Sequence, residues 1–366
     1  MKVYIESLGC ESNLADTNRI MEYFKINNVK LTTNYKEADF IILMSCGFNN
    51  IMMKDNLRRL QDFKKTDAKI ILGGCIPKIR KEIIKTVDYS FGPKELEVLD
   101  QIFRFKNNIK NISPQFYKEN KKIIRISTGC NGNCSYCAIK IANGLIKSRS
   151  FEYIKKDIDE GIKEGYSHFI LVSEDNGSWG TDIGTNIIQL IEKINKIKGD
   201  FRITLTTINP VWFIKFPELI NSLKSKKIEK KIYLALQSGS NRILKLMNRH
   251  YTVEQYKEVF NALKEEIPEI KIQTDVLIGF PTETEQDFLK TLQFVKETDI
   301  NFLQVFAYTD MKGTKSYNIT PKVPRKIIEE RAKRIISEFL EKKKGISGRT
   351  LVNTNLKNIY TLLKKA

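Results

Sequence analysis

The sequence predicts an α/β protein built on parallel sheets, and three observations predict it. Apolar runs of strand length recur along the chain, from Val3-Tyr4-Ile5 through Phe40-Ile41-Ile42-Leu43-Met44 to residues 302–306. Stretches with apolar residues at helical spacing separate them. Such strand–helix alternation argues for parallel strands joined by crossover helices. The chain has 366 residues, which at roughly 100–200 residues per domain suggests two or three domains.

The first domain is expected over residues 1–112. Residues 2–8 read as a strand that ends at Gly9-Cys10. A helix follows around 13–26, with Leu14, Ile20, Met21 and Phe24 facing inward. A second strand, 39–45, ends at Cys46-Gly47, and a third, 69–73, ends at Gly73-Gly74-Cys75. This is the pattern of an open parallel sheet of the flavodoxin or Rossmann-like kind. The second domain is expected over 120–320. Its strand-like runs are 123–127, 168–173, 201–206, 231–236, 272–278 and 302–306, with helical stretches such as 186–197, 254–264 and 285–297. Six β/α units are fewer than the eight of a closed TIM barrel, so a partial (β/α)6 barrel is predicted. Residues 321–366 read as a C-terminal helical segment.

Composition narrows the function classes. Apolar residues make up 41% and charged residues 29%, a globular balance and not that of a disordered chain. No run approaches the roughly 18 apolar residues of a bilayer span. The residues after Lys2 carry no signal-peptide hydrophobic region. A cytoplasmic protein without membrane contact is expected. Lys plus Arg is 62 against 43 for Asp plus Glu, a net charge of +19. That favours a polyanionic partner such as RNA, although a chain rich in Lys, Ile and Asn carries such a balance through compositional bias alone.

The cysteines hold most of the information. There are six: Cys10, Cys46 and Cys75 lie far apart, while Cys130, Cys134 and Cys137 are crowded together. A disulfide framework does not suit a long leaderless chain. Zinc normally asks for four ligands, often with His, and the two histidines, His168 and His250, sit in no Cys/His spacing. Cys130-Asn-Gly-Asn-Cys134-Ser-Tyr-Cys137 is a C-x3-C-x2-C loop. Three thiolates on such a loop can hold three irons of a cubane cluster and leave the fourth open. Tyr136 would add an aromatic wall. Cys10, Cys46 and Cys75 each fall just past a strand's C-terminal end, the edge where open parallel sheets bind ligands. Singly each reads as an ordinary buried thiol. Taken together, at equivalent positions, they read as the ligands of a second cluster.

Polar clusters follow several barrel strands: Ser173-Glu174-Asp175-Asn176, Gln237-Ser238-Gly239-Ser240, and Asp275 leading into Gly279-Phe280-Pro281-Thr282-Glu283-Thr284. Strand C-termini are where barrel sites form. The same residues also read as helix caps and turns, and Thr282 to Glu285 has the form of a capping box.

On these residues the sequence resembles the radical S-adenosylmethionine (SAM) methylthiotransferases, which insert sulfur at an unactivated C–H and methylate it. The matching positions are Ser7-Leu8-Gly9-Cys10 with Asn13 and Asp16, Ser45-Cys46-Gly47-Phe48, Gly73-Gly74-Cys75, Gly129-Cys130-Asn131 through Cys137, and Lys147-Ser148-Arg149-Ser150. They continue with Leu236-Gln237-Ser238-Gly239-Ser240, Leu244, Met247-Asn248-Arg249, and Asp275 through Thr284. The resemblance implies two four-iron, four-sulfur (4Fe–4S) clusters and two SAM per turnover. Cys130, Cys134 and Cys137 would hold the cluster that cleaves SAM to a 5′-deoxyadenosyl radical. Cys10, Cys46 and Cys75 would hold the auxiliary cluster that carries the sulfur. Glu174, Gln237 and Asp275 become candidates for SAM contacts, with Arg149 suited to the SAM carboxylate. An electron donor of flavodoxin or ferredoxin type and a sulfur donor are implied partners, and a monomer is expected.

Three departures stand out. Asn143-Gly144 replaces the family's Arg-Gly after the triad loop. Tyr308-Thr309-Asp310-Met311-Lys312-Gly313-Thr314 lacks the Arg usual in that stretch. Gly348-Arg349-Thr350-Leu351-Val352 resembles the start of the family's C-terminal TRAM barrel, but 345–366 leaves too few residues for several strands. Family substrates are a transfer-RNA adenosine near the anticodon or an Asp of a ribosomal protein. Gln237-Ser238-Gly239-Ser240 is closer to the transfer-RNA branches and Ser45-Cys46-Gly47-Phe48 to the ribosomal-protein branch. With the barrel missing, the sequence reading leans to a polypeptide side chain, in a ribosomal protein or a ribosomally made peptide, ahead of transfer RNA. Another two-cluster radical SAM reaction, or a non-catalytic cluster-binding module, remain as further readings.

Overall fold

The computed structural model describes residues 1–47, 49–112, 121–343 and 352–354. Phe48, residues 113–120 that the sequence places between domains, and Gly348 to Leu351 lie outside the described residues. The chain forms two compact units, one of Met1–Gly132 with Cys137–Thr204, the other of Asn133–Tyr136 with Leu205 onward. No described helix is long and apolar enough to cross a membrane.

The first unit opens with a five-stranded sheet: β1 (Lys2–Leu8), β2 (Lys30–Thr32), β3 (Phe40–Ser45), β4 (Lys69–Gly74) and β5 (Tyr89–Ser90), in the order β2-β1-β3-β4-β5. Every pairing is parallel. Helix Glu11–Ile26 turns Ile20, Tyr23 and Phe24 into a core with Val3, Ile42, Met44 and Ile71, closed by Phe91 and Leu99. The helical spacing of those three residues is what an apolar stripe requires. Met21, expected inside, is half-buried while Tyr23 is fully buried.

The unit continues with β6 (Lys122–Arg125), β7 (Ser127–Thr128), β8 (Lys147–Ser148), β9 (His168–Val172) and β10 (Arg202–Leu205), of which β6, β9 and β10 form a sheet in the order β10-β9-β6. The run 123–127 is two strands, not one. Through Arg125 it pairs with β9, and from Ser127 it turns to pair antiparallel with β8. Leu14 and Ala15 of helix Glu11–Ile26 pack on Ile123, Ile170 and Val172. That contact groups the first barrel strands with the N-terminal sheet, so the compact units do not divide between residues 112 and 120.

The second unit contains β11 (Lys231–Tyr233), β12 (Lys271–Ile278), β13 (Phe302–Ala307) and β14 (Val352–Thr354), all parallel in that order. Counted along the chain, β6, β9, β10, β11, β12 and β13 are the six strands expected of the partial barrel. β11 is shorter than the expected 231–236. The Leu236 N–H donates to Thr274 Oγ1 (3.1 Å), and the ladder resumes only at Gln237 opposite Val276. The capping box also shifts: it closes between Thr284 and Asp287, while Thr282 takes a left-handed φ of 68°.

Gly279 ends β12 with φ +78°, and a Cβ there would lie 2.3 Å from Ile328 Cγ1. Its N–H donates to Glu283 Oε2 (2.9 Å), which also receives Arg331 Nη1 (2.8 Å) from helix Arg325–Lys342. Left-handed strain and overpacking each cost about 1–3 kcal/mol. Gly279→Ala is therefore expected to lower unfolding free energy by about 2–4 kcal/mol, read from urea denaturation midpoints.

Candidate functional site

The N-terminal cysteines are levelled by strand register. Leu8 of β1 stands opposite Ser45 of β3, and Ser45 opposite Gly74 of β4. Cys10, Cys46 and Cys75 therefore leave one sheet edge at nearly the same height. Backbone and amide bonds hold that edge. The Cys75 N–H donates to the Ser45 carbonyl (3.0 Å), as does Asn13 Nδ2 (2.9 Å). Asn56 Oδ1 accepts the Cys46 N–H (3.1 Å) while its Nδ2 donates to the Leu8 carbonyl (3.2 Å). Gly74 has φ +91°, and a Cβ would fall 2.4 Å from the Ser45 carbonyl oxygen. Cys10 is exposed, and Cys46 and Cys75 are buried. Burial pushes the Cys75 thiol well up, and the neighbouring Cys46 and Cys10 push it further.

A buried ion-pair network lies in the same unit. Arg125, on β6, pairs with Asp16, which follows Cys10 by less than two helical turns. Its other terminal nitrogen reaches Glu174 Oε1 (3.4 Å), just past β9. Glu174 also accepts the Gly129 N–H (2.8 Å), immediately before Cys130, and Asn143 Nδ2 (2.7 Å). Burial raises the Glu174 carboxyl above its ordinary range, against the pull of Arg125 and the Gly129 N–H. Arg125 Nε and Asn143 Oδ1 are buried without a hydrogen-bond partner. Cys130 Sγ receives the Gly132 N–H at 3.1 Å. Arg149 is committed through Nη1 to Asp157 (2.7 Å) and to the Arg125 carbonyl (2.9 Å).

In the second unit, Ser135 anchors the triad loop. Its Oγ donates to the Leu246 carbonyl (2.8 Å) and its N–H to the Met247 carbonyl (3.0 Å). Cys134 Sγ accepts a hydrogen bond from Arg249 Nη1 (3.4 Å). Tyr136 stands edge-on to Phe280, ring centroids 6.5 Å apart, beside Ile243, Met247 and Tyr308. Gln237, at φ +71°, is a non-glycine residue held in the left-handed region, a conformation that costs energy and clusters at functional sites. Its Nε2 donates to both Asp275 oxygens (2.8 Å each). Burial raises the Asp275 carboxyl, with Tyr233, Arg249 and Gln237 pulling the other way. Gln237 and Asp275 are thus brought together as one polar group. Arg125, Tyr233 and the role of Arg249 were not found by sequence reasoning; the signal for Arg125 was a lone charge inside Ile123-Ile124-Arg125-Ile126.

The donor sets fit iron–sulfur ligation. All six cysteines are free thiols, and N–H groups point at sulfur. Among the described residues no three His, Cys, Asp or Glu side chains gather tightly enough for a single metal ion. A cubane takes each thiolate on a different iron and so asks for wider spacing.

The family described as the radical SAM superfamily matches residues 124–295, and that described as uncharacterized protein family UPF0004 matches residues 2–92. A protein of Archaeoglobus fulgidus named probable threonylcarbamoyladenosine tRNA methylthiotransferase is 34% identical, over 92% of this chain and 82% of that protein. The chain belongs to the radical SAM methylthiotransferase family. Another relative, the ribosomal protein uS12 methylthiotransferase RimO of Carboxydothermus hydrogenoformans, is 32% identical over 92% of this chain and 82% of that one. Among solved structures, the radical SAM methyltransferase TsrM of Kitasatospora setae shares the fold, with a TM-score of 0.64 at 10% identity over 86% of this chain and 77% of that chain. Radical SAM methylthiotransferases are transferases that use SAM and two 4Fe–4S clusters.

Proposed function

We propose that this methylthiotransferase modifies a transfer-RNA adenosine, with Cys10, Cys46 and Cys75 holding the auxiliary cluster and Cys130, Cys134 and Cys137 the SAM-binding one. The observation that carries the two-cluster reading is the common height of Leu8, Ser45 and Gly74. Three thiols leaving one edge of a sheet suit a shared cluster, since thiolates are soft ligands and that edge is where such sheets bind ligands. When bound, the clusters and SAM supply the electron, the radical, the sulfur and the methyl group. The chain's part is to bind, orient and keep water away. Glu174, partly buried, and Asp275, buried, offer carboxylates suited to the cationic ammonium and sulfonium groups of SAM, and Gln237 holds Asp275 in place. Tyr136 offers an apolar wall. Arg149, engaged through Nη1, would take the SAM carboxylate on its other edge.

Two observations support transfer RNA over the polypeptide side chain to which the sequence alone leans. Relatives at 34% and 32% identity, from Archaeoglobus fulgidus and Pyrococcus horikoshii, are named for a threonylcarbamoyladenosine of tRNA, and the net charge of +19 suits a phosphate backbone. The ribosomal-protein name at 32% keeps the polypeptide as the second reading. The test is anaerobic turnover with SAM and a reductant, offering threonylcarbamoyladenosine-containing tRNA and ribosomal protein uS12 in parallel. Mass spectrometry is expected to show a methylthio group gained by the tRNA nucleoside. A methylthiolated polypeptide with unmodified tRNA would overturn the reading.

A further inference from the structure

We propose that Arg249 sets the reduction potential of the SAM-binding cluster through a charge-assisted hydrogen bond to the Cys134 sulfur, an inference that rests on Cys134 being a ligand of that cluster. The geometry is fixed from both sides. On the loop side, the Asn133 carbonyl accepts Asn248 Nδ2 (2.7 Å), and Ser135 bonds the Leu246 and Met247 carbonyls. On the arginine side, helix Asn241–Leu246 is followed by Asn248 at φ 57°, a left-handed residue that turns the chain back. The Arg249 N–H then bonds the Leu244 carbonyl (2.9 Å). The residues flanking Cys134 are thus tied to the same helix end that presents Arg249.

Every nitrogen of the guanidinium has a partner in this unit. Nη1 donates to Cys134 Sγ (3.4 Å), Nη2 to the Ala235 carbonyl (3.1 Å) and Nε to the Tyr251 hydroxyl (2.9 Å). The guanidinium carbon also lies 5.0 Å from the centroid of the Tyr251 ring. Tyr251 is buried, and its hydroxyl donates to the Ala235 and Leu236 carbonyls. Three of the guanidinium's five N–H groups hold the fork in one orientation. It delivers a fixed positive charge and one N–H to sulfur. Both favour the reduced cluster, which carries one more negative charge, over the oxidised one. Screening is weak in partly buried surroundings, so the effect is larger than at a surface.

The test is a redox titration of the anaerobically reconstituted full chain, following the paramagnetic signal that responds to SAM. At the wild-type midpoint, Arg249→Gln is expected to lower the reduced-to-oxidised ratio about tenfold, about 59 mV for a one-electron couple. A loaded Arg249→Gln protein with an unchanged midpoint would show Arg249 to be a structural tether only and overturn the proposal. A second measurement needs no variant. Wild-type protein labelled with 15N in its arginine guanidinium groups is expected to show a 15N coupling to the reduced cluster, and its absence overturns the hydrogen bond. If wild type shows no SAM-responsive four-iron signal at all, the cluster assignment itself fails, an outcome distinct from both.

Discussion

Replacing Cys10, Cys46 and Cys75 together by Ala is expected to halve the iron of the reconstituted chain, from about eight atoms to about four. Methylthio transfer should fall below detection while reductive cleavage of SAM continues. The expectation follows from the separation of the two cysteine sets. Register places this triad at the edge of the five-stranded sheet, where Ser45 accepts the Cys75 N–H and Asn56 the Cys46 N–H. Folding should survive the change. Cys10 is exposed, the other two are small buried thiols, and Ala leaves only minor voids in their place. The edge is held by Asn13, Ser45 and Asn56, which the variant keeps. Iron and sulfide analysis with electron paramagnetic resonance decides it. About four irons in wild type, unchanged in the variant, would remove the auxiliary cluster and leave a single-cluster enzyme.

The strands that carry the N-terminal cysteines were legible because each apolar run stops at a Cys with a Gly beside it, so composition marks both the strand and its end. Their common height was not legible, since register depends on pairing between segments far apart in sequence. Strand 231–236 was overextended for a related reason. Its apolar pattern continues through Leu236, but the Thr274 hydroxyl takes a backbone N–H and Gln237 turns left-handed. Side-chain capture of a ladder bond leaves no periodic trace. The family departures proved informative once side chains were placed. Asn143, where an Arg is usual, donates to Glu174. In the stretch at 308–314 that lacks its Arg, Asp310 instead accepts Lys322 Nζ (2.6 Å), a residue from further along the chain. Arg249 lay within a recognised motif, yet its role depends on the turn at Asn248, which no spacing rule supplies.

Arg125→Met is expected to destabilise the chain by about 3–5 kcal/mol at pH 8, because it strands two buried carboxylates at once. Arg125 now pairs with Asp16 and Glu174, whose side chains are only 8% and 11% exposed. An apolar replacement fills much of the space but leaves those charges without the cation they are paired with. The penalty should shrink at lower pH, and the sign can be worked out. Burial already holds the Glu174 carboxyl above its ordinary value, with Arg125 opposing. Without Arg125 that elevation grows. The folded state then binds more protons than the unfolded one at and above the ordinary carboxylate range, so stability falls as pH rises through that window. Urea denaturation of wild type and variant at pH 5.5 and pH 8 is expected to show a smaller difference at pH 5.5. Adding Asp16→Asn and Glu174→Gln to Arg125→Met should recover much of the loss, since removing every charge of a buried network costs far less than removing one. A penalty that ignores pH and persists in the triple variant would mean that packing, not charge, makes Arg125 important. The distinction bears on function, because Glu174 also holds the Gly129 N–H directly before Cys130. A network stabilised by charge ties helix Glu11–Ile26, which begins at Cys10, to the first cysteine of the second triad through three side chains, so weakening it should disturb both ends together.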